Sequence, residues 1–456
     1  MTRKITDDID RRTLLKATGG LGLAGLAGCV TTTDGGDGGD GGSGGTDGGS
    51  DDGSGGTDGG SDGGDGGDGG STPTETSSGG GDGGSGPYEI GMVDSLTGSL
   101  SAFGQRNQRG KDLALKRVNE VGIKGRELKI LVEDSESVSQ GGVSAAQKLV
   151  NQNGVPFLIG AVGSGVSLAI YESVIQGTDV VQLSQNSTGL GLTDFPGLLR
   201  MSPTGRTQSV ALADIIAEDG HDTVAVTYVN NNYGQSLADA FVEAWDGDVA
   251  YNNSHDQGQQ SYSNVVSQMN ASGADAWLFV TYQAEFATIV NEIYSNGYEP
   301  ALYGADSVSG DDVLENTPEG SMEGMKIVVP SAPIEQDNYK EFAAAFEDEY
   351  DQQPTSWSAY AYDCVITAAL SIQAADEFTG KALGEVVRDV TRPPGEKVDT
   401  FEAASQILAE GGGPDDVDYQ GVSGPIDLDE NGDPKGFLQI LTVQDHEYVG
   451  TGFIES

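Results

Sequence analysis

Tyr88-Glu89-Ile90-Gly91-Met92-Val93, a helically spaced stretch from Gly110 to Asn119, and Leu128-Lys129-Ile130-Leu131-Val132-Glu133-Asp134 follow one another along the chain. In the middle stretch Leu113, Leu115 and Val118 fall on one inner side, the spacing of an amphipathic helix between two strands. The rhythm continues with a helix from Ser139 to Gln152, which turns Val143, Ala146, Leu149 and Val150 inward, and with the strands Phe157-Leu158-Ile159-Gly160 and Asp179-Val180-Val181-Gln182-Leu183. Repetition of strand, helix and strand at this spacing predicts a parallel sheet covered on both faces, because each parallel crossover must carry a helix back over the sheet. The pattern restarts after Pro203. Thr223-Val224-Ala225-Val226-Thr227-Tyr228, a helix from Gln235 to Trp245, Val249-Ala250-Tyr251, a helix around Tyr262 to Asn270, Ala276-Trp277-Leu278-Phe279-Val280 and a helix from Ala284 to Ser295 form a second set. The expected fold is therefore α/β, with two doubly wound parallel-sheet lobes. Ligands of open α/β sheets sit beyond the carboxyl ends of the strands, so two such rims facing one another predict a site in the cleft between them.

Working outward from this core, the N-terminus reads as targeting and tether. Asp10-Arg11-Arg12-Thr13-Leu14-Leu15-Lys16 precedes an apolar run, Ala17 to Val30, that is too short to span a bilayer stably. The arginine pair ahead of a weakly hydrophobic segment resembles a twin-arginine export signal. Leu26-Ala27-Gly28-Cys29 resembles a lipobox, in which Cys29 becomes the lipid-modified first residue of the mature chain. Residues 1–29 are thus expected to be a lipoprotein signal, and residues 30–87 a linker. From Thr31 to Pro87 nearly every residue is Gly, Asp, Ser or Thr. Such a segment cannot bury enough apolar surface to offset its conformational entropy, so it is expected to be disordered, with a mean reach on the order of 40 Å. The expected location is the outer face of the cytoplasmic membrane, lipid-anchored and extracellular. A calcium-binding Asp/Gly repeat fits less well, since the spacing is irregular and the apolar positions of a β-helix repeat are missing.

The formal net charge is −48, of which the linker supplies only about a dozen acidic residues. The part expected to fold is itself strongly acidic, which argues against nucleic acid or anionic lipid as a partner. So large an excess of carboxylates points to a salt-rich environment, where screening over a few ångströms removes most self-repulsion. Three His and two Cys offer no metal-thiolate site, and a lipidated Cys29 leaves Cys364 without a disulfide partner. No metal and no cofactor are expected.

Several passages resemble the leucine/isoleucine/valine-binding branch of the type I periplasmic binding proteins. They are Ile90-Gly91-Met92-Val93-Asp94-Ser95-Leu96-Thr97-Gly98 through Phe103-Gly104, then Phe157-Leu158-Ile159-Gly160-Ala161-Val162-Gly163-Ser164, Asn231-Asn232-Tyr233-Gly234, and Ala359-Tyr360-Ala361-Tyr362-Asp363. Their common order across some 350 residues, from about Tyr88 to near the C-terminus, carries the resemblance. The resemblance implies three chain crossings between the lobes, with lobe one at 88–205 plus 330–425 and lobe two at 206–329 plus 437–456. It also implies a monomeric receptor, not an enzyme, serving an ABC permease and its ATPase.

A zwitterionic amino acid needs its carboxylate, its ammonium and its side chain all satisfied, because an unpaired buried charge is costly. Ser164, in Gly163-Ser164-Gly165, and Thr188, in Asn186-Ser187-Thr188-Gly189, follow strands and open helical turns. Either hydroxyl alone would suit an ordinary helix cap; together they match the family's carboxylate-binding Ser and Thr. Asn186 matches the position whose main-chain carbonyl takes the ammonium. From lobe two, Asp306 aligns with the acidic partner of the ammonium and Tyr282 with the aromatic that caps it. Asp306 replaces the Glu usual in that branch and reaches about one methylene less far, which leaves the solute open between a branched-chain amino acid, a related one and an amide. Phe103, Tyr233 and Trp357 fall where the family lines its side-chain pocket, and aromatic walls accept apolar and planar groups alike.

Two other functional classes fit the same composition. One is an extracytoplasmic sensor domain of the same fold; the other is a lipoprotein amidase or hydrolase using Glu133 or Asp134 with a cleft serine. Asp427-Leu428-Asp429-Glu430-Asn431-Gly432 begins like an EF-hand, yet its twelfth position is Leu438, so an Asn-Gly turn between strands is expected. His221 and His255 read as isolated polar-loop residues. Asn186, Asn252 and Asn270 head glycosylation sequons, of which Asn186 is expected to lie unmodified inside the cleft.

Overall fold

The computed structural model describes residues 85–455. The expected signal with Arg11, Arg12 and Cys29, and the linker as far as residue 84, lie outside the described residues. The first half of the fold runs β1 (Tyr88–Asp94), α1 (Ser101–Val121), β2 (Leu128–Asp134), α2 (Ser139–Gln147), β3 (Phe157–Gly160), α3 (Ser164–Ile170), β4 (Val181–Ser184) and β5 (Leu198–Arg200). These strands form a parallel sheet in the order β2-β1-β3-β4-β5. β3 and β4 are buried along their whole length, as strands covered by helices on both faces must be. Helices α2 and α3 each continue into a π turn, Lys148–Gln152 and Tyr171–Ile175.

The second half begins with α4 (Gly205–Glu218) and continues β6 (Thr223–Val229), α5 (Asn232–Ala244), β7 (Asp248–His255), α6 (Ser263–Ser272), β8 (Ala276–Val280), α7 (Gln283–Ser295), β9 (Ala301–Gly304), α8 (Asp311–Glu315) and β10 (Lys326–Ser331). The chain then returns to the first half as α9 (Asp337–Tyr350), α10 (Ser356–Ala374) and α11 (Gly380–Val386). Next come β11 (Glu396–Val398), α12 (Phe401–Ala409), β12 (Val417–Gly421) and β13 (Gly424–Pro425). It finally re-enters the second sheet as the hairpin β14 (Phe437–Gln444) and β15 (Glu447–Glu455). The second sheet is ordered β15-β14-β10-β9-β8-β6-β7, parallel from β10 to β7 and antiparallel where the hairpin joins.

The chain therefore passes between the two sheets three times, after β5, after β10 and before β14. Helix α10 is buried nearly all round and packs on α1; a helix apolar on every side belongs inside a core. It starts where the Thr355 hydroxyl accepts the Ser358 N–H at 3.4 Å. The small sheet β11-β12-β13 has no counterpart in the periodicity. It is held by Asp363 of α10, which accepts from the Tyr419 hydroxyl at 2.7 Å, the Val422 N–H at 3.1 Å and the Ser423 N–H at 2.7 Å. A side-chain contact of this kind leaves no periodic trace in sequence.

One expectation requires correction. His255 is no loop residue: it ends β7, is 4% exposed, and lies between the hydroxyls of Thr227 at 2.9 Å and Thr281 at 2.8 Å. Burial drives its pKa down to about 4, so the ring is neutral. Asn431-Gly432 does turn between two strands, β13 and β14, which pair with other neighbours: β13 with β12, and β14 with β10 and β15. The Asp429 carboxylate gathers the N–H groups of Asn431 at 2.8 Å and Asp433 at 2.9 Å, making a self-bonded loop at the third crossing.

Candidate ligand-binding site

The carboxyl ends of β1, β3 and β4 supply one wall. Beyond β3 the chain turns at Val162 and Gly163, and Ser164 opens α3, 2% exposed, its Oγ accepting the Gly189 N–H at 3.0 Å. That bond fastens the loop after β4, which carries Asn186 and Thr188, to the start of α3. Both loop residues are buried. Asn107 of α1 donates to the Asn186 Oδ1 at 2.9 Å and to the Asp94 Oδ1 at 3.1 Å. The Asn186 Nδ2 is buried and has no hydrogen-bond partner. Asp94, at the end of β1, is fully buried, and burial raises its pKa to about 6 against the opposing donors Gln108, Asn107, Ser95 and Gln185.

The second sheet supplies the other wall. Asn231 caps α5 by accepting the Gly234 N–H at 3.1 Å, and its Nδ2 donates to the Tyr282 hydroxyl at 2.9 Å. One side chain thereby starts the helix that carries Tyr233 and orients Tyr282. The two tyrosine rings stack, with centroids 5.6 Å apart and planes 14° from parallel. Asp306 follows β9 in a short helical turn and is 4% exposed. Its Oδ1 accepts from the Tyr233 hydroxyl at 2.9 Å and from Gln208 of α4 at 3.0 Å. Burial raises the Asp306 pKa, and the bonds from Gln208 and Tyr233 hold it back in part. No ion pair joins it to a lysine or arginine among the described residues.

All eight residues named from the sequence, Phe103, Ser164, Asn186, Thr188, Tyr233, Tyr282, Asp306 and Trp357, line one narrow cavity of about 20 Å³. Leu100, Val162, Gly163 and Ser307 complete it. That is room for little more than a water molecule and far below the volume of an occupied small-molecule site, so the rims lie pressed together around these residues. Phe103 and Trp357 meet edge to face at 5.6 Å, forming an apolar corner. Tyr233, expected as a pocket wall, also donates its hydroxyl to the Asp306 carboxylate, while the Tyr282 hydroxyl accepts from Asn231. Gln208 and Asn231, which fix these side chains, were not read from sequence, because a polar residue on a helix or cap looks the same wherever it points.

The two rims touch. The Leu190 N–H donates to the Ser236 Oγ at 3.1 Å and the Gln257 side chain to the Ser99 Oγ at 3.0 Å, both across the cleft. A Cβ on Gly189 would lie 2.7 Å from the Asn232 Oδ1 and 2.8 Å from the Ser164 Cβ, so a side chain there would have to displace both neighbours. The cleft is closed over a cavity with hydroxyls on one side, a carboxylate on the other and aromatic rings between.

The carboxylates considered for hydrolysis lie elsewhere. Asp134 accepts from the N–H groups of Leu96 at 3.0 Å and Glu136 at 2.8 Å and from the Thr97 hydroxyl at 2.6 Å. Burial would raise its pKa, but these donors outweigh burial and hold it below the usual value. Glu133 pairs with Lys148 at 2.6 Å. Neither lines the cavity.

Comparison with known proteins agrees with this architecture. Residues 87–414 match the family described as Periplasmic binding protein. Leu/Ile/Val-binding protein homolog 3 of Brucella melitensis is 28% identical over 228 residues, a match spanning 48% of this chain and only 61% of that relative. The chemotactic signal transduction system substrate-binding protein BasB of Halobacterium salinarum is 24% identical over 386 residues, 80% of this chain and 91% of that one. A crystal structure of a leucine binding protein from Thermotoga maritima superposes with a TM-score of 0.70 at 21% identity, covering 81% of this chain and 99% of that chain. Two sheets crossed three times by the chain, a closed cavity at their carboxyl rims and a family match over most of the sequence lead to one assignment: this chain belongs to the periplasmic binding protein family, with the type I fold.

Proposed function

We propose that the protein is an extracytoplasmic receptor that closes on a zwitterionic amino acid, branched-chain or related, or on its amide, and presents it to an ABC permease and ATPase. The single observation behind this reading is Asp306, a buried carboxylate that no lysine or arginine among the described residues pairs with, facing the hydroxyl side of the cavity. A buried charge of that kind calls for a countercharge. An α-ammonium supplies it, and the ligand carboxylate then lies toward Ser164 and Thr188. Phe103, Tyr233, Tyr282 and Trp357 close over the side chain, and the Asn186 main chain takes a second ammonium proton. Aromatic acids that lack an amine would leave Asp306 unbalanced.

Binding between rims that already touch requires hinge opening at the three crossings. We assign lobe one to 88–205 plus 330–425 and lobe two to 206–329 plus 437–456. In the same reading the chain is a monomeric, salt-adapted lipoprotein, exported by a twin-arginine route and anchored through Cys29. No helix among the described residues is long and apolar enough to cross a membrane. A thermal-shift screen of amino acids, amides and aromatic acids at molar salt tests the ligand class. Stabilisation by amino acids and none by amine-free acids supports the proposal; the reverse order refutes it. A sensor role is the second reading, favoured by the likeness to BasB. Ligand uptake by vesicles carrying the permease and ATPase separates the two.

A further inference from the structure

The EF-hand-like run Asp427 to Gly432 leads to Asp433, which enters the core beside β5. There Arg200, 0% exposed, donates through Nε to the Asp433 Oδ1 at 2.6 Å. Its Nη1 donates to the main-chain carbonyls of Gly189 at 2.8 Å and Ser187 at 3.4 Å, the two residues flanking Thr188. Its Nη2 donates to the Thr193 hydroxyl at 2.6 Å, and that hydroxyl donates to the Asp433 Oδ2 at 2.8 Å. The Arg200 N–H donates to the Gly432 carbonyl at 3.0 Å, so loop and strand are also joined by backbone. The Ser202 hydroxyl adds a second donor to the Ser187 carbonyl at 3.0 Å.

We infer that Arg200 and Asp433 form a positioning pair that ties the third crossing between the lobes to the loop presenting Asn186 and Thr188. The inference rests on the ligand-site reading proposed above. A planar guanidinium presents donors in a fixed fork, so it can hold carbonyls on both sides of one residue while its third edge meets a carboxylate. A buried guanidinium without a countercharge would be costly, and Asp433 meets that need from a segment that must move when the lobes hinge. The loop's EF-hand look has a geometric cause. Asp429 folds it by bonding its own backbone, and Gly432 at φ +83° brings it against β5, where a Cβ would lie 2.6 Å from a Leu199 methyl. Asp429 serves the turn, Asp433 an arginine, and Asp427 pairs with Lys435.

Arg200→Lys and Thr193→Val test the pair in the full chain at molar salt. Lysine keeps the charge but cannot grip Asp433, Thr193 and both carbonyls together; valine removes one strut and leaves the buried ion pair intact. L-leucine affinity is expected to fall about tenfold in Arg200→Lys, the worth of one ligand hydrogen bond, and by less in Thr193→Val. Amide hydrogen exchange of the ligand-free protein should accelerate in residues 185–191 in both variants and stay unchanged in β6 and β8. Wild-type affinity in both variants, or unchanged exchange in 185–191, overturns the inference. If the wild-type chain binds no amino acid, the ligand reading fails while the exchange experiment still judges the brace.

Discussion

Replacing Asp306 by Asn removes one charge while keeping the acceptor that Tyr233 and Gln208 use, and it separates a binding role from a structural one. In the closed cavity of the Asp306→Asn variant a ligand ammonium would face a neutral amide and find no countercharge. Stranding one partner of a buried, hydrogen-bonded charge pair costs about 2–4 kcal/mol. Affinity for an ammonium-bearing ligand should therefore fall about 30- to 1,000-fold by titration calorimetry at molar salt. The unliganded protein should respond in the opposite sense. Burial raises the Asp306 pKa, so the ionised form is held at a cost, and its removal should leave the unfolding temperature near neutral pH unchanged or higher. Unaltered affinity would remove Asp306 from the ligand's ammonium. Lowered stability with unaltered affinity would make it a structural residue.

The same carboxylate sets a pH dependence. The raised pKa means Asp306 takes up a proton more readily than an exposed Asp, so ligand affinity should fall as pH is lowered through that pKa and be restored above it; Asp306→Asn should flatten this profile. Ser164→Ala and Thr188→Ala should each weaken carboxylate-bearing ligands by about 1.5–3 kcal/mol, the range for hydrogen bonds to charged groups, measured by calorimetry. Gly432→Ala should destabilise the fold by about 1–3 kcal/mol in denaturant unfolding, because a side chain there combines φ +83° with contact against Leu199. Raising salt should raise the unfolding temperature of the wild-type chain, since a net charge of −48 repels itself least when screened.

The doubly wound architecture was legible because it is written in local periods. The apolar runs at Ile90, Leu158 and Leu278 read as strands buried on both faces, the run at Ile130 as their partly exposed edge neighbour, and the helical spacing between them points to parallel crossovers. The candidate site residues were singled out through the family resemblance, and their placement at strand ends agrees with it. Ser164, Asn186, Thr188 and Asp306 each follow a strand, and the ends of parallel strands are where an α/β sheet places its ligands. Periodicity carries no information on which distant side chains meet. Nothing local in His255 announces that Thr227 and Thr281 bracket it, and nothing in Asp363 announces the sheet it holds. Tyr233 and Tyr282 are both aromatic residues after strands, and nothing local announces that the first donates to Asp306 while the second accepts from Asn231. Asp433 makes the same point at longer range, lying 233 residues from Arg200 along the chain. Strand and helix content follow from short-range sterics and burial. The pairing of polar groups depends on which ends of the chain the crossings bring together, and that exists only once the lobes have folded.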